Sequence, residues 1–529
     1  MTLLPLAAVA LLASPPSPAA PAPTPAAPER IRAVVLPPVL NGKASPGLEL
    51  VMHEKASALL LLTGKYDAIH FRQVASMAAN HMIKVSDLGE PNAARRAAER
   101  LGAKTFCWAN ARQTDKGWDL EAFASHTGDA TVEKMTASLP GTEAVLVAQA
   151  GQLLAQVVAK ADKVELPAAP ANLQPHTTRD LAMKSYAACL TGISKQPLGI
   201  ENPPVIDAEE LARSLALCEA AVKADPNFSA AWAALALAAA IDNRDQRAVE
   251  ALAKIDPTTN FIPNQTLARF WLVSRFQSPE AGEAVLREAM QREPGFLLAQ
   301  TYLAELYNRL GRHAEAATVW QEYARKSPSN TFVISRLAYT LARLGKADEA
   351  VTFAEKALTF DPESPELKLE LASRCIDAGK SDKAISLLTP MANDANPNPN
   401  ALLRLGYARR LKGDARGAEE LFLRAQKAAK EPRTWRVRFR ALLDLSALAQ
   451  EKGDKELAKK RLNEALREGR ITYLSSNDMD VLLKLTSLEE AKELQSTVKH
   501  PVKEASPLVD EKDKKAPPKG FEKLQVKAN

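Results

Sequence analysis

Residues 341–362 read LARLGKADEAVTFAEKALTFDP. Two helix-forming runs flank one glycine, Gly345, and Pro362 closes the second run. A glycine just past a helix end supplies the left-handed residue that reverses the chain, and a proline cannot continue a helix. The stretch therefore reads as a helix hairpin, and it recurs. Gly311, Gly345, Gly379 and Gly413 are spaced 34 residues apart, and Gly453 follows after 40. Seven residues before the first four stand Ala304, Ala338, Ala372 and Gly406, each preceded by a leucine. Five residues after them stand Ala316, Ala350, Ala384 and Ala418, and four further on Trp320, Ala354, Leu388 and Phe422. Small residues on both helices let the pair approach closely, and larger ones fill the wedge around them. One hairpin cannot bury its apolar face alone, so the hairpins must stack.

Period, small positions, turn glycine and closing proline together resemble the tetratricopeptide repeat. The resemblance implies an α-solenoid of helix hairpins, about seven repeats over residues 175–470. The last unit fits as Leu445, Gly453, Ala458, Leu462 and Ala465, with its six extra residues in a preceding linker, EPRTWRVRF. Upstream the pattern is irregular, although Trp232, Leu235, Ala236 and Ala239 fit a first helix. Residues 471–498, with VLLKLTSLEEAKEL, read as an amphipathic capping helix. Residues 499–529 are rich in Lys, Pro and acidic side chains and are expected to be disordered.

Residues 31–165 lack the period and read as a small α/β domain. IRAVVLPPVL and DAIHFRQV are strand-like, LELVMHEKASALLLL and AARRAAERLGA are helical, and KTFCWANARQTDKGWDLEAFASH reads as two strands joined at TDKG. TEAVLVAQAGQLLAQVVAKA is a final helix. VVLPPVL, AERLGAKTFCWANARQTDKGWDLEAF and the following SHTGDATVEK resemble the TolB amino-terminal-like domain, which often precedes such repeats in bacterial proteins. The aromatic that often ends the last strand of that family is absent, and Val132 stands near its place.

Leu3 to Ala13 is an apolar run of signal-peptide length, too short to span a membrane, and a Pro/Ala-rich stretch follows it. Residues 1–30 are therefore expected to be a signal-like segment and linker, directing the protein to the periplasm; retention in the cytoplasm is the alternative. No transmembrane span is expected. Cys107, Cys189, Cys218 and Cys375 form no CxxC pair and have no zinc-site spacing. Cys189 and Cys218 fall on paired helices; they suit either a disulfide in an oxidising compartment or two small apolar core residues, the commoner use. A net charge of +6 over 529 residues is modest and does not argue for nucleic acid.

No GxxxxGK[ST], GxGxxG, HExxH or GxSxG is present, and no two histidines stand at i,i+3 or i,i+4. Carboxylates lie beside Lys and Arg, as on solvated helix faces. No catalytic residue, metal site or cofactor is expected, and the protein reads as a non-enzymatic scaffold. In the resembled architecture the first helix of each hairpin lines a concave groove. The register places Tyr302, Arg309, Phe332, Arg336, Tyr339, Arg343, Arg404, Tyr407 and Arg410 there. Arg and Tyr give contact area, stacking and forked hydrogen bonds at small entropic cost. The Lys and Asn set with which some such proteins clamp a peptide carboxylate is not met, because Glu305 occupies one of its places. The expected partner is a protein or peptide of the bacterial envelope, in support of a machine such as a secretion, pilus or motility apparatus. The rival readings are recognition of an anionic envelope polymer, polysaccharide or peptidoglycan, and an accessory role in an enzyme or signalling complex.

Overall fold

The computed structural model describes residues 30–80, 83–170, 173–195, 208–430, 434–467 and 516–526. The signal-like segment through residue 29 and the expected capping helix at 471–498 lie outside the described residues. The architecture is the expected one, a long helical solenoid preceded by a small α/β unit.

The α/β unit runs β1 (Ile31–Val35), β2 (Val39–Asn41), α1 (Leu48–Leu62), β3 (Tyr66–Ala68), α2 (Phe71–Asn80), α3 (Pro91–Arg100), β4 (Thr105–Thr114), β5 (Gly117–His126), β6 (Val132–Pro140) and α4 (Glu143–Ala161). The strand order is β3-β1-β4-β5-β6, with β2 paired to β4. β1 is parallel to β3 and β4, and β4, β5 and β6 run antiparallel in sequence. The apolar run Ala33 to Leu36 is fully buried because strands flank β1 on both sides and α1 packs against it. α4 is long and apolar enough to cross a membrane, yet it packs against α1 and against β4, β5 and β6 as a core helix.

DAIHFRQV, read as a strand, is not one throughout. β3 stops at Ala68 and a helix begins at Phe71. The His70 ring nitrogen accepts from the Arg72 N–H at 3.3 Å, and Gln73 Oε1 accepts from the His70 N–H at 3.2 Å. This reciprocal capping starts α2 in place of continuing the strand.

Among the described residues the solenoid has eight hairpins, against the expected seven or so. They are α5 (Asp180–Lys195) with α6 (Ala208–Ala224), α7 (Ser229–Ile241) with α8 (Asp245–Leu252), α9 (Pro263–Phe276) with α10 (Pro279–Arg292), and α11 (Leu297–Arg309) with α12 (His313–Lys326). Then come α13 (Thr331–Arg343) with α14 (Ala347–Phe360), α15 (Pro365–Asp377) with α16 (Ser381–Ala392), α17 (Pro399–Leu411) with α18 (Ala415–Ala428), and α19 (Trp435–Glu451) with α20 (Lys455–Arg467). The turn glycines have positive φ, from 70° at Gly379 to 80° at Gly413 and Gly453. The WRVRF stretch is not a linker: it forms the first turns of α19, where Phe439 is buried. Cys189 and Cys218 are not a reduced core pair. They form a disulfide that joins α5 to α6, while Cys107 and Cys375 are free and buried.

The α/β unit and the first hairpins share one hydrophobic core, continuous from Ala33 to Ala350. A second core runs from Ala338 to Leu448. Polar joints lock the two units together. Asp180, at the start of α5, accepts from the Glu143 and Ala144 N–H groups at 2.6 and 3.2 Å and so caps α4 from across the junction. Asn330 caps α13 through the Val333 N–H at 3.1 Å, and its side-chain NH2 donates to the Leu101 carbonyl at 2.9 Å. Arg100 pairs with Asp361 at 2.7 Å.

The expectation of disorder through 499–529 fails for residues 516–526. This tail lies on α8, α9 and the turn that follows α9, and Phe521 is buried within the shared core.

Candidate binding groove

Helices α11, α13, α15, α17 and α19 are the first helices of successive hairpins, and their side chains line one face. The α/β unit covers the beginning of that face. Arg72 on α2, itself buried, donates to the Tyr302 hydroxyl at 3.3 Å, and Gln73 donates to the Tyr323 hydroxyl at 2.9 Å. Tyr302 is thus fully buried at a domain junction and offers nothing to a partner. Burial raises its hydroxyl pKa, against the pull of the Arg72 and Arg309 charges. Arg309 stands half-buried beside it.

Where the α/β unit ends, a cleft of about 260 Å³ opens. Met77 and Arg100 form one wall; Phe332, Arg336, Glu366 and Glu370 form the other. Phe332 is half-buried, edge-on to Trp320 with ring centres 6.0 Å apart.

Beyond the cleft the expected residues come together, but mostly as partners of one another or of neighbouring acids. Arg336 grips the carboxylate of buried Glu305 with Nε and Nη2. Burial works against the Arg336 charge, but Glu305 holds its pKa above the ordinary value. Tyr339 is flanked by two guanidinium groups, Arg336 at 4.8 Å and Arg374 at 5.5 Å from the ring centre. Arg374 also lies 3.7 Å from Glu370 and 3.5 Å from Asp377. Arg404 donates to the Leu369 carbonyl at 3.0 Å, and burial pulls its pKa down.

The last cluster centres on Asp444, buried in α19. Tyr407 donates its hydroxyl proton to Asp444 at 2.6 Å, and Arg440 Nε donates to both, at 2.7 and 3.1 Å. Arg410 approaches Asp444 at 3.6 Å and pairs with Glu451. Burial raises the Asp444 pKa while these cations oppose it. Arg343 is the member of the expected set that points into solvent.

The groove set expected from the sequence omitted Arg72, Gln73, Arg374, Arg440 and Asp444. The spacing of Arg440 and Asp444, i and i+4 on one helix, carried a signal for that pair. Arg374, four residues after Glu370 on α15, carried the same signal, and nothing local marked Arg72 or Gln73. Among the described residues no group of three or more His, Cys, Asp or Glu could hold a metal ion.

The tetratricopeptide repeat family profile matches residues 206–260 and 267–331, which cover α6 to α8, most of α9, and α10 to α12. The helical array is a tetratricopeptide-repeat solenoid. No curated protein matches the chain. Several solved structures are similar. A tetratricopeptide repeat protein from Parabacteroides merdae is 13% identical, with a TM-score of 0.37 over 57% of this chain and 99% of that one. Yeast Tom70 is 17% identical, with a TM-score of 0.41 over 62% of this chain and 67% of that one. PilW, a type IV pilus biogenesis factor, is 19% identical, with a TM-score of 0.33 over 45% of this chain and 99% of that one. Tetratricopeptide solenoids generally serve protein–protein interaction and are typically non-catalytic.

Proposed function

We propose that this protein is an exported, non-catalytic scaffold of a bacterial cell envelope. It holds a partner protein or peptide along the face that opens at the Phe332/Glu370 cleft and continues over α15, α17 and α19. The observation that carries this reading is the cleft itself, where an apolar wall meets charged side chains from two structural units.

The same face favours a protein partner over an anionic polymer. Arg336, Arg374, Arg410 and Arg440 each have a carboxylate within 4 Å, so little free positive charge remains to draw a polyanion. Export is supported by the apolar run Leu3 to Ala13 and by the Cys189–Cys218 disulfide, since such bridges persist in oxidising compartments. The TolB-like reading of the α/β unit is supported by its mixed sheet, against which α1, α3 and α4 pack.

The test is cross-linking in cells, with mass-spectrometric identification of partners, comparing the natural chain with one carrying Tyr339→Ala and Arg343→Glu. A protein partner lost in the variant, with the melting curve unchanged, supports the groove. Unchanged partners refute it. Sequencing the amino terminus of the mature protein tests export, and an intact Met1 rules it out.

A further inference from the structure

The tail, residues 516–526, reads APPKGFEKLQV. Gln246, at the start of α8, accepts from the Lys519 N–H at 2.9 Å and donates to the Lys519 carbonyl at 3.4 Å. Gln277, at the end of α9, treats Val526 in the same way, at 3.1 and 2.8 Å. Each side-chain amide therefore stands in for a neighbouring β-strand and reads one residue's backbone without regard to its side chain. Arg269 Nε donates to the Leu524 carbonyl at 3.2 Å.

Side-chain selectivity comes from between these clamps. Phe521 is buried, edge-on to Phe276 with ring centres 5.5 Å apart. Gly520 has φ of 89°, and a Cβ there would lie 3.3 Å from Val249. Leu524 and Val526 pack, partly buried, on the same core. Gln277 also holds a telling place in the repeat, 34 residues before Gly311, where the later units carry their turn glycine. The rim departs from the repeat pattern at a residue that grips the tail.

We propose that the α8–α9 rim is a peptide-binding site, and that it accepts in trans a segment with the chemistry of this tail. That chemistry is a left-handed glycine, phenylalanine next, leucine three residues after the phenylalanine and valine two beyond that. The site shares no lining residue with the cleft of the proposed scaffold groove and stands whether or not that groove is used.

The test uses the full chain carrying Phe521→Ala and Leu524→Ala, which removes the anchors of the resident tail. A fluorescent peptide of residues 516–526 is titrated against it and against the natural chain. The variant is expected to bind the peptide about tenfold or more tightly than the natural chain, whose own tail competes. A peptide carrying Phe521→Ala should lose about tenfold or more, as should the variant with Gln246→Ala and Gln277→Ala added. Equal binding by variant and natural chain, or indifference to either change, overturns the proposal. In the Phe521→Ala, Leu524→Ala variant, whose rim is vacated, a photo-cross-linking phenylalanine analogue at position 521 of the added peptide should label α8 or α9. Labelling elsewhere, or none, is equally fatal.

Discussion

Arg336 on α13 closes on Glu305 on α11 with two guanidinium nitrogens, one on each carboxylate oxygen, and Glu305 is almost fully buried. A residue expected to serve a partner instead satisfies a buried charge of the solenoid itself. Arg336→Ala would strand that carboxylate and is expected to lower stability by roughly 3 kcal/mol. Urea denaturation checks this. Adding Glu305→Ala should recover part of the loss, because the stranded charge is then gone.

Gly345 lies at φ of 78° with open space where a Cβ would sit. Its requirement is conformational rather than steric. Gly345→Ala is expected to cost about 1 kcal/mol, and Gly345→Asn less, since asparagine tolerates the left-handed region. A thermal melt of each variant measures the difference.

The Cys189–Cys218 bridge closes a loop of sequence separation 29. Its removal by Cys189→Ser with Cys218→Ser is expected to cost about 3 kcal/mol. Thiol titration of the purified, unreduced protein in denaturant should find two reactive thiols, those of Cys107 and Cys375. Four thiols would refute the bridge.

His53 is buried with Nδ1 against the Val35 carbonyl, and burial lowers its pKa from 6.5 to about 4. The folded state thus takes up the proton less readily than the unfolded chain. The contribution to stability is complete above about pH 6.5 and is lost as pH falls through that value towards 4, a loss of roughly 3 kcal/mol. Burial lowers His70 as well, so it adds to the same acid limb. Burial raises Glu54 to about 7, so it acts oppositely, favouring the fold below about 4.5 and giving that up as pH rises through 7. Urea midpoints between pH 4 and 6.5 should fall on acidification, and His53→Asn should flatten that slope. A slope unchanged in the variant would refute the assignment.

The solenoid was legible because its marker is local. A left-handed turn residue after each first helix is written into the sequence as glycine. The upstream hairpins read as irregular because the marker changes there. Asn243 takes the left-handed position at φ of 58°, and the α9–α10 turn does without one, with Ser278 capping α10 through the Ala281 N–H. The tail was misread because its composition is that of a disordered segment, and one phenylalanine with two glutamine clamps holds it down. The groove was legible as a helix face but not as a set of available side chains. Whether Tyr302 meets solvent or Arg72 depends on how the α/β unit docks, and no period or spacing in the chain encodes that.

The continuous core from Ala33 to Ala350 has a mechanical consequence. Repeat arrays ordinarily peel one hairpin at a time, because each unit touches only its neighbours. Here the amino-terminal half is welded to a sheet and cannot peel in steps. Stretched between its ends, the protein should first shed its tail from α8 and α9, then surrender the carboxy-terminal hairpins singly. The amino-terminal block should hold longest and rupture in one event.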